Sequence, residues 1–289
     1  MSLTNRAFIA SIAVAAVALP SFAITNDWVA DNEHPFVGLV VFYDAAGEFS
    51  HRCSGSLISP TKLLTAGHCT APDSGAVTAR VYFQQDAGAN YDPVTMVDPV
   101  SGYPETCAAG TLGTLCATSH ELHDFGFTGL TLPNTHDAGL VVLDQPIYLG
   151  EYGELAPAGT LDGLAKARGT KGTVFTVSGY GLSYRTEDHS AVPNVSFRSR
   201  LMARSTLVNL GSANTDGFNL QTQGNGDGRG GTCSGDSGGP VFLGDSHSNQ
   251  IVGVTSFGLN ALCRGTDFAY RTDRQEVIDW VGEPSAAAR

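Results

Sequence analysis

The chain has no C-x-x-C pair among its six cysteines, which removes the spacing on which most structural zinc sites are built. No long apolar run follows residue 23, so nothing downstream reads as a membrane span. Charge is scarce at 15% of residues, and positive charge is scarcer still: 16 Lys and Arg face 28 Asp and Glu, a formal net charge of −12. That shortage of cations argues against nucleic acid or an acidic membrane surface as a partner. Internal repeats and composition-marked linkers are missing too, so nothing marks off independent domains.

What is present begins with 1-MSLTNRAFIASIAVAAVALPSFA-23. Arg6 supplies a positive start, Ala7 to Leu19 an apolar run too short to span a bilayer, and Ser21-Phe22-Ala23 puts small residues at the two positions that a signal peptidase reads. The expected organisation is a signal peptide over 1–23 and one secreted domain over 24–289. An even number of cysteines behind such a leader suggests disulfides, with the pairing open on sequence alone.

Glycine is abundant, at 35 residues. Short β-like runs recur between turn residues: 36-FVGLVVFYD-44, 55-GSLIS-59, 79-ARVYF-83, 138-AGLVVLD-144, 173-TVFTVSGYG-181, 199-SRLMARSTLV-208, 240-PVFLG-244 and 250-QIVGVTSFG-258. Many such runs with Gly, Pro and Asp between them point to an all-β sandwich or barrel. In 273-DRQEVIDWVG-282, Val277, Trp280 and Val281 share one helical face, with Asp273 as candidate N-cap and Gly282 as stop. Residues 86–135, which carry Cys107 and Cys116, read as long loops that a bridge could pin. The run 224-GNGDGRGG-231 reads as a loop in preference to a calcium site.

The chemistry concentrates in 231-GTCSGDSGGPV-241. Its glycines surround one hydroxyl, Ser237. A serine attacks a carbonyl only with a base in hydrogen-bond reach, and the oxyanion it creates needs backbone N–H groups converging on one point. Glycines permit such a loop and let a substrate approach. Gly235 and Ser237 are the candidate N–H donors. The bare G-x-S-x-G pattern also fits the serine elbow of α/β-hydrolases, but that fold needs its acid and histidine after the serine. Only His247 follows, ten residues on. Upstream lie His68 in 63-LLTAGHC-69 and Asp137 in 136-HDAGLVVLD-144.

"CSGSLISPTKLLTAGHC", "HDAGLVVLD" and "CSGDSGGPV", in that order, with "TSFG" and "DFAY" after them, resemble the chymotrypsin/trypsin-like secreted serine endopeptidases over nearly all of 24–282. The resemblance implies two six-stranded antiparallel β-barrels with a short C-terminal helix and a cleft between the lobes. It implies Ser237 as nucleophile, His68 as base, Asp137 orienting His68, and Ser256 supporting Asp137. It pairs Cys53 with Cys69 and Cys233 with Cys263, and leaves Cys107 with Cys116, a bridge not general to the family. It pairs Asp236 with a new N-terminal ammonium, here that of Ile24 directly behind the expected signal cleavage, although Thr25 departs from the usual valine.

For the substrate pocket the resemblance points to Gly231, Ser256, Phe257, Gly258 and Phe268. Members that cut after Lys or Arg carry an aspartate where Gly231 stands. With Phe268 read as shortening the pocket, the expected P1 residue is small or medium and apolar. Asp267 is the one candidate for an anion entering from elsewhere.

The substrates implied are proteins or peptides, handled by a monomer without metal or cofactor, away from nucleic acid and membrane. A catalytically silent binding protein on the same fold is the alternative. His136 adjoins Asp137 but would face away from it, since neighbours on a strand alternate faces. His120 and His123, spaced H-x-x-H, lack an obvious third ligand. His34, His51, His189 and His247 read as surface residues.

Overall fold

All eight β-like runs form strands. The computed structural model describes residues 24–87, 107, 115–166, 172–183, 198–224, 228–259 and 263–283. The chain enters through β1 (Thr25–Asn26) and β2 (Trp28–Ala30). The first lobe follows with β3 (Val37–Tyr43), β4 (Phe49–Leu57), β5 (Lys62–Thr65), β6 (Thr78–Tyr82), β7 (Cys116–Ser119), β8 (Glu121–Asp124) and β9 (Gly139–Val142). The second holds β10 (Glu154–Leu155), β11 (Val174–Gly179), β12 (Leu201–Asn209), β13 (Asn219–Gln223), β14 (Gly230–Gly231), β15 (Pro240–Leu243), β16 (Gln250–Gly258) and β17 (Thr266–Arg271). The helices are α1 (Gly67–Thr70), α2 (Asp162–Lys166) and α3 (Gln275–Gly282), and Pro72–Ser74 form a 3₁₀ turn.

In the first lobe the strands run in the order β7-β6-β3-β4-β5-β9-β8. β7 and β8 are separated only by His120, so they act as one bent strand that pairs with β6 at one end and β9 at the other. The Ser119 hydroxyl sits at the bend, within bonding distance of the Glu121 and Val142 carbonyls. Counted this way, the sheet closes with six strands. In the second lobe β16-β15-β11-β12-β13-β17 form a ring that the β16–β17 pairing closes, with β10 and β2 attached outside it. The expectation of two six-stranded barrels thus holds, with short additions that residue patterns as brief as two or three positions do not announce.

β3 is buried at every position, because side chains on one face fill the barrel while the other face is covered. The core of the first lobe gathers Leu39, Val41, Leu64, Leu140 and Val141, and that of the second gathers Phe175, Val177, Leu220, Val241 and Val252. Among the connections between the lobes are three that lie away from the serine loop. Arg200, 4% exposed, donates to the Asp31, Val37 and Phe83 carbonyls. From β5, Lys62 Nζ caps the C-terminus of α3 through Val281 O and Gly282 O at 2.9 and 3.0 Å, a placement that also suits the helix dipole. Trp280 of α3 packs against Phe125 with centroids 5.3 Å apart.

Two expectations change here. Asp273 does not cap α3. Its carboxylate is buried and taken by Arg271 and by the Leu161 N–H, and Arg274 occupies the cap position. The stretch 86–135 is not all loop, since β7 and β8 lie within it. Residues 88–106 and 108–114 fall outside the described residues, as does His189. All three expected disulfides are formed: Cys53–Cys69, Cys107–Cys116 and Cys233–Cys263.

Candidate active site

Asp137 lies just before β9 and is fully buried. A buried carboxylate has to be hydrogen-bonded, and this one is engaged from both lobes. His68 Nδ1 approaches Oδ1 and Oδ2 at 3.1 and 3.0 Å, and the His68 N–H donates to Oδ1 at 2.7 Å. From β16, the Ser256 hydroxyl donates to Oδ2. These bonds fix the imidazole with Nδ1 on the carboxylate and leave its other nitrogen for a different partner. His68 sits on α1, whose start at Gly67 packs so closely on the 136–138 backbone that a Cβ there would lie 2.9 Å from Ala138 O. The His68 side chain is 26% exposed, and the Phe127 ring lies 6.0 Å from it.

The loop 233–239 brings Ser237 to the same seam. Ser54 on β4 donates its N–H to Ser237 O at 2.8 Å. Gly238, at φ +78°, leaves no room for a side chain: a Cβ there would meet Ser54 O at 2.5 Å and Ala66 N, two residues before His68, at 2.6 Å. The glycines therefore let the serine loop press onto the strands that deliver the histidine. Between Ser237 and His68 no hydrogen bond is formed, an ordinary state for such a pair without substrate. Gly235 has φ +95°. Among the described residues neither its N–H nor that of Ser237 finds a protein acceptor.

Sequence reading missed Ser54. Its hydroxyl donates to Gly235 O at 2.9 Å and accepts from the Tyr180 N–H at 3.0 Å, while its carbonyl accepts from the Thr65 hydroxyl at 2.8 Å. One fully buried side chain thus links the serine loop, β4 and the turn after β11. Only its place beside Cys53 in "CSGS" hints at this.

Ser237 opens onto a cleft of about 350 Å³, lined by Thr232, Cys233, Ser256, Phe257, Gly258 and Leu259 among others. Phe268 is not in that lining. It stacks on Phe257 with centroids 4.6 Å apart and is 1% exposed. Gly231 borders Asp267 instead: a Cβ on Gly231 would stand 2.6 Å from Asp267 Oδ2.

Asp236 is fully buried and accepts from Gly181 N–H at 2.8 Å and Cys233 N–H at 2.9 Å. Burial pushes its carboxyl up to about 7, with the Asp267 charge adding to the rise and those two N–H groups opposing it. Ile24 is buried as well. The segment behind it pairs through Thr25 and Asn26 with Gly231 and Gly230, and Asn26 Nδ2 donates to Gly224 O at 2.8 Å.

The remaining histidines divide. His136 turns to Asn134 and Phe125. His120 pairs with Asp144 and His123 with Glu121, and these two do not share a ligand site. Among the described residues the one metal-like grouping is Cys53, His68 and Cys69, whose sulfurs are bonded to each other. His247 is exposed, as expected. His34 is not a surface residue, and His51 is only partly exposed. His34 is 2% exposed, stacked on Phe242 and bonded to Asp31, and His51 stacks on Phe42 with Nε2 at Cys69 O. Each is followed in sequence by a polar or turn-forming neighbour, which hid its packing.

A two-barrel fold with a buried Asp–His pair and a glycine-bounded serine in one seam defines a candidate serine hydrolase. The trypsin family model matches residues 24–281, and the chain belongs to this family of serine endopeptidases. It is 28% identical over 255 residues to fibrinolytic enzyme, isozyme C, of Lumbricus rubellus, covering 83% of this chain and 91% of that one. To trypsin 5G1 of Aedes aegypti it is 28% identical over 241 residues, covering 82% and 76%. Among solved structures, HL collagenase superposes with a TM-score of 0.60 at 17% identity, over 93% of this chain and 99% of that chain. Human heparin binding protein gives the same TM-score at 19% identity, over 91% and 100%. Among the described residues no helix is long and apolar enough to cross a membrane.

Proposed function

We propose that the chain is a secreted endopeptidase that cuts peptide bonds through an acyl-enzyme on Ser237. His68 takes the Ser237 proton as Oγ attacks the scissile carbonyl, then passes it to the leaving amine. Asp137 holds the ring in the required tautomer and stabilises the imidazolium. The N–H groups of Gly235 and Ser237 receive the oxyanion. Water then attacks the acyl group by the same route in reverse. The observation that carries this reading is the His68 Nδ1–Asp137 pair, buried on the carboxylate side, next to a loop whose Gly235 and Ser237 N–H groups have no acceptor among the described residues.

Removal of residues 1–23 completes the site. It frees the Ile24 ammonium for Asp236, whose buried carboxylate has no cation beside it among the described residues. A buried charge left alone is costly, so the pair would set the shape of the serine loop. The substrates are proteins or peptides outside the cell, and the enzyme works as a monomer, away from nucleic acid and membrane.

A burst experiment with p-nitrophenyl acetate tests the proposal. An acyl-enzyme releases one equivalent of nitrophenol quickly and the rest slowly. A protein with no burst and no hydrolysis of casein is instead a catalytically silent binding protein on the same fold.

A further inference from the structure

Asp236 has a proposed partner in the Ile24 ammonium. A second buried carboxylate beside the cleft, Asp267, has none. It lies on β17 opposite Gly258 of β16 and is 7% exposed. Its Oδ2 accepts the Thr232 N–H at 2.9 Å, and the Thr232 hydroxyl bonds to it as well. Its Oδ1 lies 3.6 Å from where a Cβ of Gly258 would be, and its Oδ2 2.6 Å from that of Gly231. The carboxylate therefore fills the space that a side chain on residue 231 would need. Thr232 and Gly258, on either side of it, both line the cleft onto which Ser237 opens.

Strand alternation explains how it gets there. Neighbouring side chains point to opposite faces, so Asp267 faces away from Phe268; it stands behind the lining residues Thr232 and Gly258, with its carboxylate against Gly231. Both premises of an apolar P1 preference are thereby altered: Phe268 does not shorten the pocket, and an anion is present although residue 231 is glycine. A carboxylate accepts at about four lone-pair sites, and Thr232 serves only part of them. Among the described residues no Lys, Arg or His lies within ion-pair distance of it. A buried charge of this kind calls for a counter-ion.

We infer that Asp267 is the specificity-determining residue of this cleft, supplying from β17 the anion that position 231 lacks and selecting a P1 side chain that ends in a cation, lysine or arginine. The term P1 rests on the endopeptidase reading above, but the cation site does not.

Benzamidine, a planar cation that needs no catalysis to bind, separates the two. Calorimetry on the form that begins at Ile24 and on its Ser237→Ala variant should show saturable binding, weakened about 100-fold in Asp267→Asn, as for removal of one partner from a desolvated charge pair. Independently of any Asp267 variant, a p-nitroanilide panel on the unaltered protein should give kcat/KM for Arg or Lys at least about 10-fold above Leu, Ala and Phe, a free-energy difference of about 1.4 kcal/mol. Equal benzamidine binding by Asp267→Asn, or a Leu substrate cut as fast as Arg, overturns the inference. Asp267-dependent benzamidine binding by a protein that cuts none of the panel and shows no acyl burst upholds the cation site and removes the peptidase reading.

Discussion

The two sides of the seam treat buried charge differently. On the first-lobe side, Asp137 is complete within the folded chain: two contacts from the His68 ring, one from its backbone, one from Ser256. On the second-lobe side, Asp236 and Asp267 are buried with only N–H and hydroxyl donors, and burial lifts both carboxyls to about 7. One half of the site is finished by folding alone. In the reading proposed above, the other half takes its cations from outside the barrel, one from the processed N-terminus and one from the substrate. In this account the first half makes the nucleophile, and the second decides when the site is active and on what.

The comparison can be broken at several points. Removing Ser237 or His68 should cost about 10⁶-fold in kcat, since either loss disables the whole unit. Asp137→Asn should cost about 10⁴-fold by favouring the wrong tautomer of His68. Steady-state kinetics on a fluorogenic peptide measures both, and a loss under tenfold in either would detach the first-lobe side from the chemistry. Next comes the N-terminus. A secreted form retaining one residue ahead of Ile24 should lose about 10²–10³-fold in kcat/KM, the scale of a broken buried ion pair. Full activity in that form, checked by N-terminal sequencing, would mean that Asp236 needs no ammonium.

Smaller again is Ser54→Ala. It leaves Gly235 O and the Tyr180 N–H without their shared hydroxyl, at about 1–3 kcal/mol. Because Ser54 touches the serine loop and not the substrate, kcat should fall about tenfold with KM nearly unchanged, and Ser54→Thr should restore it. Equal effects on KM would make Ser54 merely structural.

The smallest effect is on stability. Asp236 and Asp267 have folded-state pKa values of about 7, above the ordinary 3.8, so the folded chain binds more protons than the unfolded one between those values. Their contribution is fully present below pH 3.8 and is lost as pH rises through about 7. Pairing with the Ile24 ammonium lowers Asp236 and removes its part of that loss. Melting curves should therefore fall more steeply between about pH 4 and pH 7 for the form with a residue retained ahead of Ile24 than for the processed form.

Much of this architecture is legible in the amino-acid order, for definite reasons. The strong strands carry β-branched and aromatic residues over four or more positions, and each was readable. β1, β2, β10 and β14 are two or three residues long and are set by tertiary pairing, as Thr25 with Gly231 illustrates. Local motifs mark His68, Asp137 and Ser237 because each sits in a run of distinctive neighbours, and the fold pairs the first two. Ser54, Asp267 and the turned-away Phe268 are different. What they do depends on which face of a strand meets which wall, and that is decided by register between segments far apart, such as Gly258 opposite Asp267. His34 was misread for the same reason, since Asp31 and Phe242 reach it only in three dimensions.

Labelling with a fluorophosphonate and mapping the adduct by mass spectrometry puts the central claim to the most direct trial. The account predicts one phosphonylated residue, Ser237, in the form that begins at Ile24, with labelling lost in His68→Ala. An unlabelled Ser237 in that same form, or an adduct on another serine, contradicts it.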